Sequence, residues 1–142
     1  MIKLPFETIV EGEKETELIA KSFSENLLPG DLILLFGNLG SGKTFFVKSV
    51  CSAYSVNKVT SPSFAIVNEY VGSNTIYHLD FYRIKNVNEL YDIGIDEYLK
   101  NDEAIIFVEW ADLYREVLPQ HHYEVTINYY DENKRKIVIN KI

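Results

Sequence analysis

With 142 residues, 46% hydrophobic and 25% charged, the chain has the composition of one ordinary folded domain, and no apolar run approaches the roughly 18 residues needed to span a membrane. Its formal net charge of −7 disfavours a protein that grips RNA or DNA through its own surface, because such proteins carry a basic face. A single cysteine rules out an internal disulfide, and the first residues lack the apolar stretch of a signal peptide, so the expected location is the cytoplasm.

Residues 2–10 read as a short strand. Residues 13–28 place Leu18, Ile19, Ser22, Phe23, Asn26 and Leu27 on one stripe, which predicts a helix with Glu13, Glu15 and Glu17 in its first turn. Pro29-Gly30 stops it. A strand at 31–36 runs into a glycine-rich loop, and a helix at 43–54 follows with Phe46, Val47, Val50, Cys51 and Tyr54 facing inward. That position makes Cys51 a buried core thiol rather than a reactive one. After Thr60-Ser61-Pro62-Ser63, residues 64–71 and 75–82 predict two strands joined at Gly72-Ser73-Asn74. Residues 87–100 predict a helix. Ala104-Ile105-Ile106-Phe107-Val108 is a continuous apolar run, the sign of a strand buried on both faces. Residues 123–130 and 135–141 close as a hairpin around Asp131-Glu132-Asn133, with Lys134-Arg135-Lys136 on a solvated strand face. The pattern predicts a single α/β domain over 1–142: a P-loop NTPase-like mixed sheet flanked by helices, with antiparallel hairpins.

The loop is the most specific feature. Gly37-Asn38-Leu39-Gly40-Ser41-Gly42-Lys43-Thr44 is G-x-x-x-x-G-K-[ST], set between an apolar strand and an amphipathic helix. Glycines let the backbone N–H groups converge on phosphate oxygens, and the helix N-terminus adds its positive end. In this pattern Lys43 reaches the β- and γ-phosphates and the Thr44 hydroxyl ligates Mg²⁺. The implied ligand is a nucleoside triphosphate, held by residues 37–44 with Phe45 beside them.

Such a site needs a second carboxylate at the tip of a buried strand. Glu109, ending the run at 105–108, is the cleaner match. Asp80, ending Ile76-Tyr77-His78-Leu79-Asp80, is the other, and strand alternation lines it up with Ile76, His78 and Tyr82 on one face. His78 alone reads as structural. The hydroxyls of Thr60-Ser61-Pro62-Ser63 ahead of Phe64 suit either a γ-phosphate sensor or a plain turn opening a strand. Trp110 directly follows Glu109 and reads as a partly buried anchor. A GTPase would need Asp-x-x-Gly and Asn-Lys-x-Asp. Asp80 is instead followed by Phe81-Tyr82-Arg83, and Asn57-Lys58 by Val59-Thr60, so both motifs are missing. Only three arginines, Arg83, Arg115 and Arg135, weaken the case for a small-molecule kinase with its clamp of arginines.

In order and spacing, residues 37–44, Ser-Pro-Ser-Phe at 61–64, His-Leu-Asp-Phe-Tyr-Arg at 78–83 and Val-Glu-Trp at 108–110 resemble the bacterial TsaE (YjeE) family. The likeness includes the Glu15-Thr16 pair and covers essentially the whole chain. It implies a small ATPase needed to make threonylcarbamoyladenosine in tRNA, docking on a complex of TsaB and TsaD whose turnover its hydrolysis supports. RNA is then reached only through that complex. The resemblance also implies Lys43 and Thr44 on phosphate and Mg²⁺, Glu109 near the metal, Asp80 as an acid needed for activity, and residues 60–64 as the sensing segment. Glu13 and Arg135 are its candidate nucleobase contacts. Asn38, Ser63 and Ala111 depart from the usual Asp, Thr and Pro; none of the three threatens nucleotide binding. Two readings lead, an ATPase that drives a partner's cycle or a nucleotide-gated binding module with negligible hydrolysis of its own, and a small-molecule kinase is third.

Overall fold

The computed structural model describes residues 1–63 and 66–142, with the side chains of residues 60–65 left out of the description. The core starts from alternation. In β2 (Leu32–Phe36), Ile33 and Leu35 face one side of the sheet and Leu32 and Leu34 the other, and all four are buried. β6 (Ala104–Glu109) repeats the pattern, sending Ile105 and Phe107 one way and Ile106 and Val108 the other. A strand that is apolar on both faces belongs in the middle of a sheet covered on both sides. Both strands lie there.

Around them, β1 (Phe6–Val10), β3 (Lys58–Ser63), β4 (Val67–Val71), β5 (Thr75–Asp80), β7 (Tyr123–Tyr129) and β8 (Arg135–Lys141) complete one sheet. The order among the described residues is β1-β8-β7-β2-β6-β5-β4-β3. Its centre is parallel, with β2 beside both β6 and β7 and β5 beside β6. The wings are antiparallel hairpins. Helices α1 (Glu13–Ser24) and α2 (Lys43–Ser52) cover one face through Ala20, Phe23, Phe46, Val47 and Val50. Helices α3 (Val87–Asp92) and α4 (Ile95–Leu99) and a 3₁₀ segment at Ala111–Val117 cover the other, through Leu90, Ile95 and Ala111. Completely burying a side chain such as Phe23 or Phe46 contributes roughly 1.5–3 kcal/mol each. The sheet and its two helical layers match the α/β, P-loop NTPase-like mixed sheet expected from the sequence.

Several boundaries differ from expectation. The first strand begins at Phe6 rather than residue 2. α1 ends at Ser24 rather than 28; Asn26 leaves the helix and pairs its side-chain amide with the backbone N–H and carbonyl of Ile2. Leu18, placed on the apolar stripe, is 68% exposed, and the helix buries Thr16 and Ala20 instead. The helix expected at 87–100 is two, broken at Gly94 with φ +81°. A left-handed residue cannot continue a right-handed helix. A strand was expected to open at 64, after a segment read as a γ-phosphate sensor or a turn, whereas Lys58–Ser63 already form β3. The 3₁₀ segment was not foreseen, and Trp110 starts it from φ +59°. No helix among the described residues is long and apolar enough to cross a membrane.

Candidate functional site

The loop from Gly37 to Gly42 leaves the C-terminal end of β2 and delivers the chain into α2 at Lys43. Three glycines adopt the left-handed region: Gly37 (φ +134°), Gly40 (φ +74°) and Gly42 (φ +112°). At Gly37 the reason is also steric, since a Cβ would sit 1.9 Å from the Ile127 carbonyl oxygen. The end of β7 fastens the loop from outside. Asn38 donates its backbone N–H to Asn128 Oδ1 at 3.2 Å and accepts from the Tyr129 N–H at 3.1 Å. The Tyr129 hydroxyl donates to the Leu39 carbonyl at 2.9 Å. Asn38 thus works as a fastener of the loop, a role its amide performs without charge.

Inside the loop, Lys43 Nζ donates to the Gly37 carbonyl at 2.7 Å and lies 4.0 Å from the centroid of the Trp110 ring. Burial lowers its pKa, and the charges of Glu109, Asp80 and Asp112 offset part of that effect. Ser41 is buried, and its hydroxyl meets no hydrogen-bonding partner among the described residues.

The two candidate acids sit side by side. The parallel register of β5 and β6 sets Asp80 opposite Glu109 at the same end of the sheet as the loop. Glu109 is only 4% exposed, and its Oε2 accepts from the Thr44 hydroxyl at 2.9 Å and contacts His78 Nε2 at 2.6 Å. Burial pushes the Glu109 carboxyl up. The His78 contact, the Thr44 hydroxyl and Lys43 more than reverse this and hold it below its ordinary value. Asp80 is more open and accepts the Tyr82 backbone N–H at 2.9 Å.

Two clefts meet at the loop. One, of about 270 Å³, is lined by Leu39, Lys43, Thr44, Asp80, Glu109 and Trp110. The other, of about 290 Å³, is lined by Glu13, Thr16, Ser41, Phe45, Asn133 and Arg135. Gly40, Gly42 and Phe45 border both. The expected residues are therefore brought together in two groups, with Gly37 and Asn38 beneath them as support. Sequence reasoning missed Thr16, Glu132, Asn133 and Tyr82 as cleft walls, and Asn128 and Tyr129 as loop fasteners. The only trace of the Glu132-Asn133 wall was a turn signal, which says nothing about which loop the turn faces. The proposed sensing segment, Thr60 to Phe64, falls outside the described side chains.

A glycine loop joining the central strand of a mixed sheet to a flanking helix defines the class: an α/β protein of P-loop NTPase-like architecture. Residues 10–137 match the family model described as "Threonylcarbamoyl adenosine biosynthesis protein TsaE". The chain belongs to the TsaE family. Among similar proteins, the tRNA threonylcarbamoyladenosine biosynthesis protein TsaE of Rickettsia felis is 38% identical, over 89% of this chain and 75% of that one. The Bacillus subtilis protein of the same name is 35% identical, over 100% of this chain and 88% of its own. The crystal structure of Bacillus subtilis YdiB superposes with a TM-score of 0.80 at 32% identity, covering 98% of this chain and 86% of that one.

Proposed function

We propose that this chain is a slowly hydrolysing ATPase that serves threonylcarbamoyladenosine modification of tRNA by docking on a TsaB–TsaD-like complex and supporting its turnover. Family membership supports the pathway. The single observation that carries the chemistry is the hydrogen bond from Thr44 on the loop helix to Glu109 on the central strand. It puts the loop's hydroxyl and the strand's acid in one cleft with Lys43 and Asp80.

The residues present fit ATP and Mg²⁺. Ser41 offers a buried hydroxyl without a partner among the described residues, and Gly42 has open space where a Cβ would stand. Carboxylate and hydroxyl oxygens are the donors that Mg²⁺ prefers. Thr44 and Glu109 would hold the cation, with Lys43 and the loop N–H groups on the phosphates. When bound, Mg²⁺ neutralises charge on the β- and γ-phosphate oxygens. The Thr44 hydroxyl, while donating to Glu109, keeps its lone pairs for a cation. Lys43 exchanges the Gly37 carbonyl for phosphate oxygens. Asp80, the more open acid, stands where it can orient water or a partner group. Glu13 and Arg135, in the second cleft, would contact the nucleoside.

Supplying the chain to a bacterium depleted of its own TsaE should restore threonylcarbamoyladenosine in tRNA, read by mass spectrometry of nucleosides. The Lys43→Ala variant should not restore it. Restoration by both variants would remove ATP from the account.

A further inference from the structure

Glu109 has a second partner whose presence packing does not explain. His78 lies in β5, is 5% exposed, and neighbours the completely buried Ile76, Leu79 and Phe107. Its Nε2 stands 2.6 Å from Glu109 Oε2, while its equally buried Nδ1 meets no donor or acceptor among the described residues. A carboxylate only accepts, so Nε2 carries the proton and donates it. The neighbours Ile76 and Phe107 fill this layer with apolar side chains, which carry no ring nitrogen to satisfy. What the imidazole adds is the second donor to Glu109 Oε2. Thr44 approaches that oxygen from α2 and His78 from β5, so the carboxylate is fixed from two elements at once.

We infer that His78 is a positioning residue: it holds the Glu109 carboxylate in the orientation that receives the Thr44 hydroxyl, so that both oxygens face Mg²⁺-nucleotide as a preset pair. This rests on the nucleotide-binding reading of the site. Partners of this kind, one step behind a metal-binding carboxylate, typically change metal affinity or activity by about 10–100-fold when removed.

Three variants separate positioning from packing. In His78→Gln the side-chain amide nitrogen reaches the place of Nε2, in His78→Asn it stops at the place of Nδ1, and in His78→Leu it is gone. The Mg²⁺ concentration that half-saturates ATP binding should stay within about threefold of wild type for His78→Gln and rise at least about tenfold for the other two. ATP affinity without Mg²⁺ should be unchanged in all three. Should His78→Leu fail to fold, the Gln and Asn pair decides. Wild-type Mg²⁺ demand in His78→Asn, or equal defects in Gln and Asn that track their melting temperatures, would overturn the inference.

Ring ¹⁵N spectra of the nucleotide-free chain give a readout that does not depend on ATP. An Nε2-protonated His78 whose hydrogen-bonded proton disappears in Glu109→Ala supports the inference, and an Nδ1-protonated ring overturns it. Failure of wild type to bind MgATP would instead sink the ATPase reading, leaving the ring spectrum to decide the place of His78.

Discussion

The Thr44 hydroxyl donates to the Glu109 carboxylate at 2.9 Å across 65 positions of sequence. The parallel register makes this possible: Leu35, two residues before the loop opens at Gly37, lies opposite Glu109. The loop therefore leaves β2 beside the acid that ends β6, and the first turn of α2 comes to rest on it. Lys43 and Asp80 join the same cleft.

Lys43→Ala should fold cooperatively and lose productive ATP binding. The Lys43 ammonium sits on the loop, 2.7 Å from the Gly37 carbonyl oxygen, and a charge-assisted hydrogen bond to phosphate contributes on the order of 2–3 kcal/mol. Affinity should fall by about 30- to 150-fold, since 1.4 kcal/mol is tenfold. Calorimetric titration of MgATP, paired with a thermal melt, checks both halves. Wild-type affinity in a folded variant would contradict the assignment.

Glu109 and Asp80 should separate by phenotype, because one is buried against Thr44 and the other is open. Glu109→Gln should weaken the Mg²⁺ dependence of ATP binding. Asp80→Asn should bind MgATP normally and fail in hydrolysis or in supporting the partner. Trp110 lines the same cleft with its ring centroid 4.0 Å from Lys43 Nζ, so its fluorescence should report nucleotide in both variants. Identical defects would show that the two acids share one role.

Arg135 should matter to the nucleoside and not to the phosphates. It lines the second cleft with Glu13, and its guanidinium stacks 4.4 Å from the Tyr129 ring centroid. Arg135→Ala should lower ATP affinity about threefold to tenfold, the loss of one partly exposed contact of about 1 kcal/mol. Inorganic tripolyphosphate should bind the variant and wild type alike. Equal losses for both ligands would move Arg135 to the phosphates.

Much of this was legible from local chemistry. The apolar run of β2, the glycines of the loop and the periodicity of α2 each leave a local mark, and so does the unbroken run of β6. What was missed depends on partners distant in sequence. β3 contains Thr60, Ser61 and Pro62, which read as a turn, yet it is an edge strand, where proline is tolerated and no second neighbour is needed. Gly94 breaks a pattern whose periodicity continues on both sides. Trp110 takes a left-handed turn without glycine, so nothing in its identity announces it. The clefts were hidden for the same reason: Arg135 and Glu13 stand 122 positions apart and meet only because β8 pairs with β1 ahead of α1.

Cys51 should be inert in the folded protein. Burial pushes its thiol from 9.0 up to about 12, so the folded state keeps the neutral thiol where the unfolded chain ionises. For an acid raised in this way, the stabilising contribution is complete below pH 9.0 and is lost as pH climbs toward 12. The stability of wild type relative to Cys51→Ala should fall in that window with a slope approaching about 1.4 kcal/mol per pH unit. A thiol reagent at pH 8 should label the chain only as fast as it opens. Rapid labelling of native protein would place the thiol at the surface.

The most direct test of the central claim is ATP turnover by the purified chain, measured against rising concentrations of a TsaB–TsaD-like complex, with and without tRNA. If the loop at residues 37–44 holds the phosphates as proposed, the chain should hydrolyse slowly alone and accelerate when a partner supplies charge or order, as activating partners do for P-loop proteins. The expected result is a low basal rate that rises and saturates with the complex and is abolished by Lys43→Ala. Fast turnover by the isolated chain, unchanged by the complex, would contradict the account and make it a self-sufficient enzyme.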